Sequence, residues 1–306
     1  MFVGGSFTSV AGGSIKANYI ATWDGNSWNV LGNSSINGVD GIVQALVMNG
    51  TNNLFVGGQF RSVAGNSISA NYIATWDGNS WNMLGTDSTN NGVDGTVYAF
   101  AMNGTNQLFV GGQFTSVNGK SIFANYIASW DGNSWNILGN SSINGVDGTV
   151  YALAMNGTNQ LFVGGQFASV NGKSIFANYI AFWDGNSWNI LGNSSINGVD
   201  GQVNALAMNG TNQLFVGGRF TSIYKSSISA NYVASWNGNS WNMLGTNTKS
   251  NGVDNVVYVL AIELAFIDPA VLNWPPTIKL LPMNSSARTG AFVPFFFFES
   301  SNTSHL

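Results

Sequence analysis

The stretch "LFVGGQFTSVNGKSIFANYIASWDGNSWNILG" occupies residues 108–139, and almost the same words return at 161–192. Between residues 107–159 and 160–212 only four positions differ: Thr115/Ala168, Ser129/Phe182, Thr149/Gln202 and Tyr151/Asn204. Folding does not demand such identity at exposed positions, so recent duplication is the simpler source. The pair Gly-Gly marks the period at Gly4-Gly5, Gly57-Gly58, Gly111-Gly112, Gly164-Gly165 and Gly217-Gly218, with spacings of 53, 54, 53 and 53 residues. Length alone would suggest about two domains of ~150 residues. The repeat overrides that, because repeated units build one continuous architecture.

Each unit holds four short runs rich in Val, Ile, Tyr, Phe and Trp, separated by turn residues. In the third unit they are "TVYAFAM", "QLFVGG", "NYIASW" and "SWNILG", the composition of strands. "MNGTNQ" joins the first run to the second, and Asn-Gly accepts the positive φ angles of a tight hairpin. "WDGNSW" joins the third to the fourth. No stretch carries a sustained helical period. Four antiparallel strands in ~50 residues, repeated, predict an all-β β-propeller of five four-stranded blades.

Gly-Gly at a strand end, then an aromatic-Asp turn, then Trp resembles the kelch repeat of the galactose-oxidase-type propellers. The resemblance covers residues 1–262 and all five copies. It departs in a shorter turn before the second Trp and in blade number, since kelch propellers usually have six or seven. Similar "FVGG…NYIA.WDG..W..LG" repeats occur in uncharacterised surface proteins of bacteria and in large DNA viruses. The resemblance implies that the strand before the Gly-Gly strand is innermost in its blade. "NVVYVLAI" at 255–262 then matches that innermost strand. Pairing of residues 255–262 with the three strands of residues 1–32 is expected to close the ring and remove its exposed edges. Galactose-oxidase-like copper chemistry is excluded, because its Cys and His ligands have no counterparts.

Beyond Ile262 the pattern stops. The segment 263–306 holds all five prolines (Pro269, Pro275, Pro276, Pro282, Pro294), the only histidine (His305) and both Glu residues. It reads as an irregular C-terminal tail, either packed over one face or decayed. "AFVPFFFF" at 291–298 is too short to span a bilayer.

Composition narrows the function classes. Hydrophobic residues at 44% and aromatics at 13% supply a core, which argues against disorder. Charged residues are only 7%, against the ~25% usual for soluble domains, so the surface is built from Asn, Ser, Thr, Gln and Gly. Nine basic residues scattered singly in a chain of net charge −4 exclude a nucleic-acid footprint. Without cysteine there is no disulfide or thiolate metal site. The opening Met1-Phe2-Val3-Gly4-Gly5 shows no secretion signal, and no membrane span is expected. The compartment stays open: extracellular, cell-surface and virion-associated sites all fit.

Candidate sites follow from the repeat-equivalent residues. One histidine in the tail argues against a Ser-His-Asp triad and a His-rich metal site. Paired carboxylates would suit a glycoside hydrolase. Repetition, however, supplies like groups where catalysis needs unlike ones. No catalytic residue and no cofactor are expected. Asp40, Asp94, Asp147, Asp200 and Asp254 precede the innermost strands and are a candidate ring for Ca²⁺. The competing reading is that each bonds its own turn backbone. Asp24, Asp77, Asp131 and Asp184 lie in the Trp-Asp-Gly turns, where the fifth copy has Asn237. Asn keeps backbone bonding but loses the charge, which favours a structural role. The repeat tryptophans, Trp130 and Trp183 among them, pack between blades or offer sugar-stacking platforms. The loop position Lys16/Ser69/Phe123/Phe176/Ser229 varies freely, which makes Phe123 and Phe176 candidate partner contacts. "NGKS" at 118–121 and 171–174 lacks the glycine spacing and the following helix of a phosphate loop. Asn-X-Ser/Thr triplets at Asn33, Asn49, Asn103, Asn140, Asn156, Asn193, Asn209, Asn284 and Asn302 are either glycosylation acceptors or hairpin chemistry.

The expectation is a non-catalytic, monomeric propeller acting as an interaction or structural surface protein. The alternative is a multivalent lectin binding glycans through equivalent inter-blade pockets of Trp, Asn and Asp, with Asp131 and Asp184 among the ligand contacts. A glycoside hydrolase comes third. A protein partner would use the loops around Phe123 and Phe176.

Overall fold

A computed structural model describes residues 1–33, 36–50, 53–104, 106–157, 159–210, 212–224, 228–247 and 250–262. The chain is all-β, and its one described helical element is a 3-10 turn at Ala11–Gly13. Small antiparallel sheets follow one another along the chain in the phase of the repeat.

The third sheet shows the plan. Its strands are Thr96–Asn103, Gln107–Gln113, Ile127–Trp130 and Trp135–Ile137, paired in that order. The second, fourth and fifth sheets repeat it, opening with Val43–Met48, Thr149–Met155 and Gln202–Asn209. The first strand of each carries a bulge. Register slips between Val97 and Ala99 opposite Gly112 and Gly111, and again between Val150 and Ala152 and between Val203 and Ala205. The bulged residues Tyr98 and Tyr151 stack across neighbouring sheets, with ring centroids 5.3 Å apart.

Both glycines of the repeat mark have a steric reason. A Cβ on Gly164 would stand 2.4 Å from Val203 Cγ1 of the next sheet, and one on Gly165 2.1 Å from Thr149 O across the bulge. The first glycine lets consecutive sheets pack face to face, and the second lets the bulge form. Among the described residues four cores result, each shared by two consecutive sheets. One joins Phe109 and Ile127 to Val150, Val163, Ala181 and Trp188, and another joins Phe162 and Ile180 to Val203, Val216 and Trp241. The second tryptophans of the second to fifth sheets then bond back one unit. Trp81, Trp135, Trp188 and Trp241 donate Nε1–H to the carbonyls of Leu31, Leu84, Leu138 and Leu191, at 3.1, 3.2, 3.0 and 2.8 Å.

The first sheet differs from the expected blade. It has three strands, Phe2–Gly4, Ile20–Trp23 and Trp28–Asn29, and among the described residues none pairs with the free edge of Phe2–Gly4. Residues 255–262, expected there, contact the fifth sheet as Val43 contacts the first, without the expected pairing to Phe2–Gly4 among the described residues. Val257 N–H donates to Gly218 O at 3.2 Å, and Asn204 Nδ2 donates to Val257 O at 3.0 Å. Val257 also seats over Gly217 as Val203 seats over Gly164. The last stretch therefore lies where a further sheet would begin, and among the described residues the first sheet has no opening strand. The tail 263–306 lies outside the described residues.

Candidate functional site

The aspartates of the Trp-Asp-Gly turns are committed locally. Asp184 Oδ1 accepts the backbone N–H groups of Asn186 and Ser187 at 2.9 and 2.7 Å, and Oδ2 accepts Ser187 Oγ and Asn189 Nδ2. The N–H groups of Ser187 and Asn186, the hydroxyl and the amide pull its pKa from 3.8 down to about 2. Asp24, Asp77 and Asp131 make the same bonds and are held lower still, chiefly by the backbone N–H groups of Ser27, Ser80 and Ser134. Asn237 Oδ1 accepts the same pair of N–H groups, from Asn239 and Ser240. These turns need an acceptor rather than a charge, which explains the asparagine.

The second aspartate set clamps a small hairpin. Asp94 Oδ1 accepts Thr115 and Ser116 N–H at 2.8 and 2.9 Å. Asp40, Asp147 and Asp200 do the same 21 and 22 residues on. Burial raises the pKa of Asp94, Asp147 and Asp200, and the accepted hydrogen bonds outweigh it and leave each lowered. Asp254 is exposed, and the positions 21 and 22 residues on lie outside the described residues. Among the described residues, no three His, Asp or Glu side chains gather where one ion could be held.

The clamped hairpin is what presents the two exposed rings. Ser116–Val117 pairs with Ile122–Phe123, and Ser169–Val170 with Ile175–Phe176. Asn118, Gly119 and Lys120 take consecutive left-handed conformations at the tip, with φ of 52, 64 and 73°. Val117 and Ile122 face the sheet, and Phe123 and Phe176 are 72% and 73% exposed. The sequence suggested these as variable loop positions. The short ladders themselves carry no hydrophobic alternation long enough to reveal them.

Trp130 is buried and Trp183 half-buried, and each packs at 5.5–5.6 Å against the next tryptophan of its own turn. Inter-sheet packing thus buries the second tryptophan in the second to fifth sheets, Trp81, Trp135, Trp188 and Trp241. A cleft of about 340 Å³ remains between the fourth and fifth sheets, walled by Phe162, Phe182 and Trp236 and rimmed by Asn156, Gln160 and Asn239. The Trp-Asp-Gly motif drew attention to Trp183, and the variable position Thr22/Thr75/Ser129/Phe182/Ser235 holds the residue, Phe182, that makes this interface unlike the preceding one.

 Phe182 stands where the other copies have Thr22, Thr75, Ser129 and Ser235, a substitution visible only once the copies are aligned.

No family model matches the chain, and no curated protein matches it. Among solved structures, the extracellular domain of a putative one component system from B. thetaiotaomicron is similar at 12% identity and a TM-score of 0.42, over 86% of this chain and 36% of that one. The extracellular domain of a putative hybrid two component system from the same organism is similar at 10% identity and a TM-score of 0.31, over 77% of this chain and 37% of that one. This chain spans little more than a third of the length of either. At such values the fold rests on the sheets themselves. No helix among the described residues is long and apolar enough to cross a membrane.

Proposed function

We propose that the chain is a non-catalytic interaction scaffold, a five-bladed kelch-like propeller that presents variable loops from near-identical blades. The observation that carries the reading is the contrast between its constant and variable positions. The described repeat carboxylates Asp24, Asp77, Asp131, Asp184, Asp40, Asp94, Asp147 and Asp200 each hold at least two backbone N–H groups. Phe123 and Phe176, at a position where other copies carry Lys16, Ser69 and Ser229, are large rings open to solvent. Rigid hairpins with exposed aromatic tips suit a protein partner, because aromatic side chains give large contact area at little entropic cost.

Closure of the ring has its own support in the two unmatched ends. Trp28 and Leu244 are half-buried, whereas the equivalent Trp188 and Leu138 are buried. Among the described residues, Trp28 Nε1 has no counterpart of the tryptophan bond, and Leu244 O, which accepts Gly252 N–H at 2.7 Å, receives no indole as Leu31, Leu84, Leu138 and Leu191 do. Asp254 would likewise meet Thr8 and Ser9 N–H, the counterparts of Arg61 and Ser62. Pairing of residues 255–262 with Phe2–Gly4 supplies all of these at once.

The test is affinity capture with the purified chain beside the Phe123→Ser/Phe176→Ser variant, with circular dichroism to confirm equal folding. A partner retained by the first and lost by the second is the expected result. A partner held equally by both, or turnover of a glycoside substrate panel, would overturn the reading.

A further inference from the structure

We infer that the cleft between the fourth and fifth sheets is a binding site for one neutral saccharide unit. This deepens the scaffold reading and rests on it, but it concerns a different face of the molecule from Phe123 and Phe176. The cleft is built where a duplicated interface was altered at a single wall. Residue for residue, the preceding interface carries the same lining except that Ser129 stands in place of Phe182. Phe182 lies opposite Phe162 on the neighbouring strand, with ring centroids 5.6 Å apart at 42°. Phe182 is the half-buried ring of this wall, while Phe162 beside it and Trp236 from the next sheet are 5% and 7% exposed.

The chemistry of the lining selects the ligand class. Its volume of about 340 Å³ lies at the small end of the ~300–1,000 Å³ range of small-molecule sites. Asn156, Gln160 and Asn239 bring amides, which both donate and accept, and no charged side chain lines the space. Asn156 is buried and fixed by Gln160 on both sides of its amide: Gln160 N–H donates to Asn156 Oδ1 at 3.1 Å, and Asn156 Nδ2 donates to Gln160 Oε1 at 2.6 Å. A ligand matched to this lining has an apolar face to lay on a ring, hydroxyls to exchange bonds with amides, and no charge. A neutral pyranose has all three. An anion would find no cation here.

The repeat supplies its own controls. Phe182→Ser restores the residue of the equivalent positions Ser129 and Ser235, in sheets that fold with it. Ser129→Phe transfers the altered wall to the preceding interface. The full chain is titrated with N-acetylglucosamine, galactose, mannose and glucose, followed by tryptophan fluorescence and ligand-observed NMR, with glucuronate and indole as charged and apolar probes. The expected result is saturable one-site binding of at least one neutral sugar, weakened at least tenfold by Phe182→Ser and raised to two sites by Ser129→Phe. Binding that Phe182→Ser leaves unchanged, binding of indole alone, or no neutral-sugar binding by the folded chain would overturn the inference. Because Phe123 and Phe176 are untouched in these variants, loss of sugar binding leaves partner capture intact, and the two readings fail separately.

Discussion

Replacing Trp188 by Phe removes the donor that ties the fourth sheet to the third. Trp188 Nε1–H reaches Leu138 O at 3.0 Å, between buried residues 50 positions apart. Leu138 O also accepts Gly145 N–H at 3.0 Å, so it is not orphaned when the indole goes. The hydrogen-bond share of the loss is therefore about 0.5–1.5 kcal/mol, below the cost of an unsatisfied buried carbonyl. The smaller ring leaves a gap in a core where Trp188 is only 4% exposed, which adds about 1–2 kcal/mol. Trp188→Phe should cost about 1.5–3.5 kcal/mol in all. Trp28→Phe should cost as much if Trp28 Nε1 meets Leu244 O in a closed ring, and well under half as much if it does not. Urea unfolding followed by circular dichroism reads both, as a midpoint shift at constant slope. An unchanged midpoint for Trp188→Phe would refute the reasoning, because it would mean that consecutive sheets are not tied through their tryptophans.

Gly164→Ala should destabilise by about 1–3 kcal/mol, measured by the same unfolding, because its Cβ would stand 2.4 Å from Val203 Cγ1. Phe123→Ser and Phe176→Ser should stay within about 0.5 kcal/mol of the parent, since both rings are solvated and serine occupies the equivalent positions. Asp184 has its folded pKa depressed to about 2 from 3.8. Its contribution is fully present above the unfolded value and is lost as pH falls through the folded one. Melting temperature should therefore fall between about pH 4 and pH 2. Asp184→Asn, which copies Asn237, should blunt that fall while leaving stability near pH 7 little changed.

The strand content was legible because the alternation is carried by Val, Ile, Phe and Trp between Asn-Gly and Asp-Gly turns. "MNGTNQ" forms the hairpin between Thr96–Asn103 and Gln107–Gln113 that its Asn-Gly implies. The turn aspartates were legible for a related reason, since an Asp-to-Asn change in one copy preserves hydrogen bonding and discards charge. The hairpins at Ser116–Val117 and Ile122–Phe123 were not, because two-residue strands carry no period. Five tyrosines, Tyr19, Tyr72, Tyr126, Tyr179 and Tyr232, adopt positive φ of 62–70°, which no propensity for tyrosine suggests. Tyr72 is held there by its N–H to Phe60 O and by Gly58 N–H to its carbonyl, so tertiary bonding fixes the backbone. The cleft at Phe182 depends on how two sheets meet, and one substituted residue does not announce a wall until its neighbours are in place.

Ring closure is tested most directly by joining the two ends covalently. The register Leu206↔Val216 and Ala207↔Phe215 of the fifth sheet, carried one unit on, sets Leu260 opposite Val3 and Ala261 opposite Phe2. Adjacent antiparallel pairs alternate between wide and narrow, so one of these two has the closer approach that favours a disulfide. The chain has no cysteine of its own, so Val3→Cys/Leu260→Cys and Phe2→Cys/Ala261→Cys can be oxidised without competition. A closed ring predicts an intramolecular disulfide in the monomer for at least one pair, with a higher melting temperature than its reduced form. Two pairs that stay reduced, or that link only separate molecules, would contradict it.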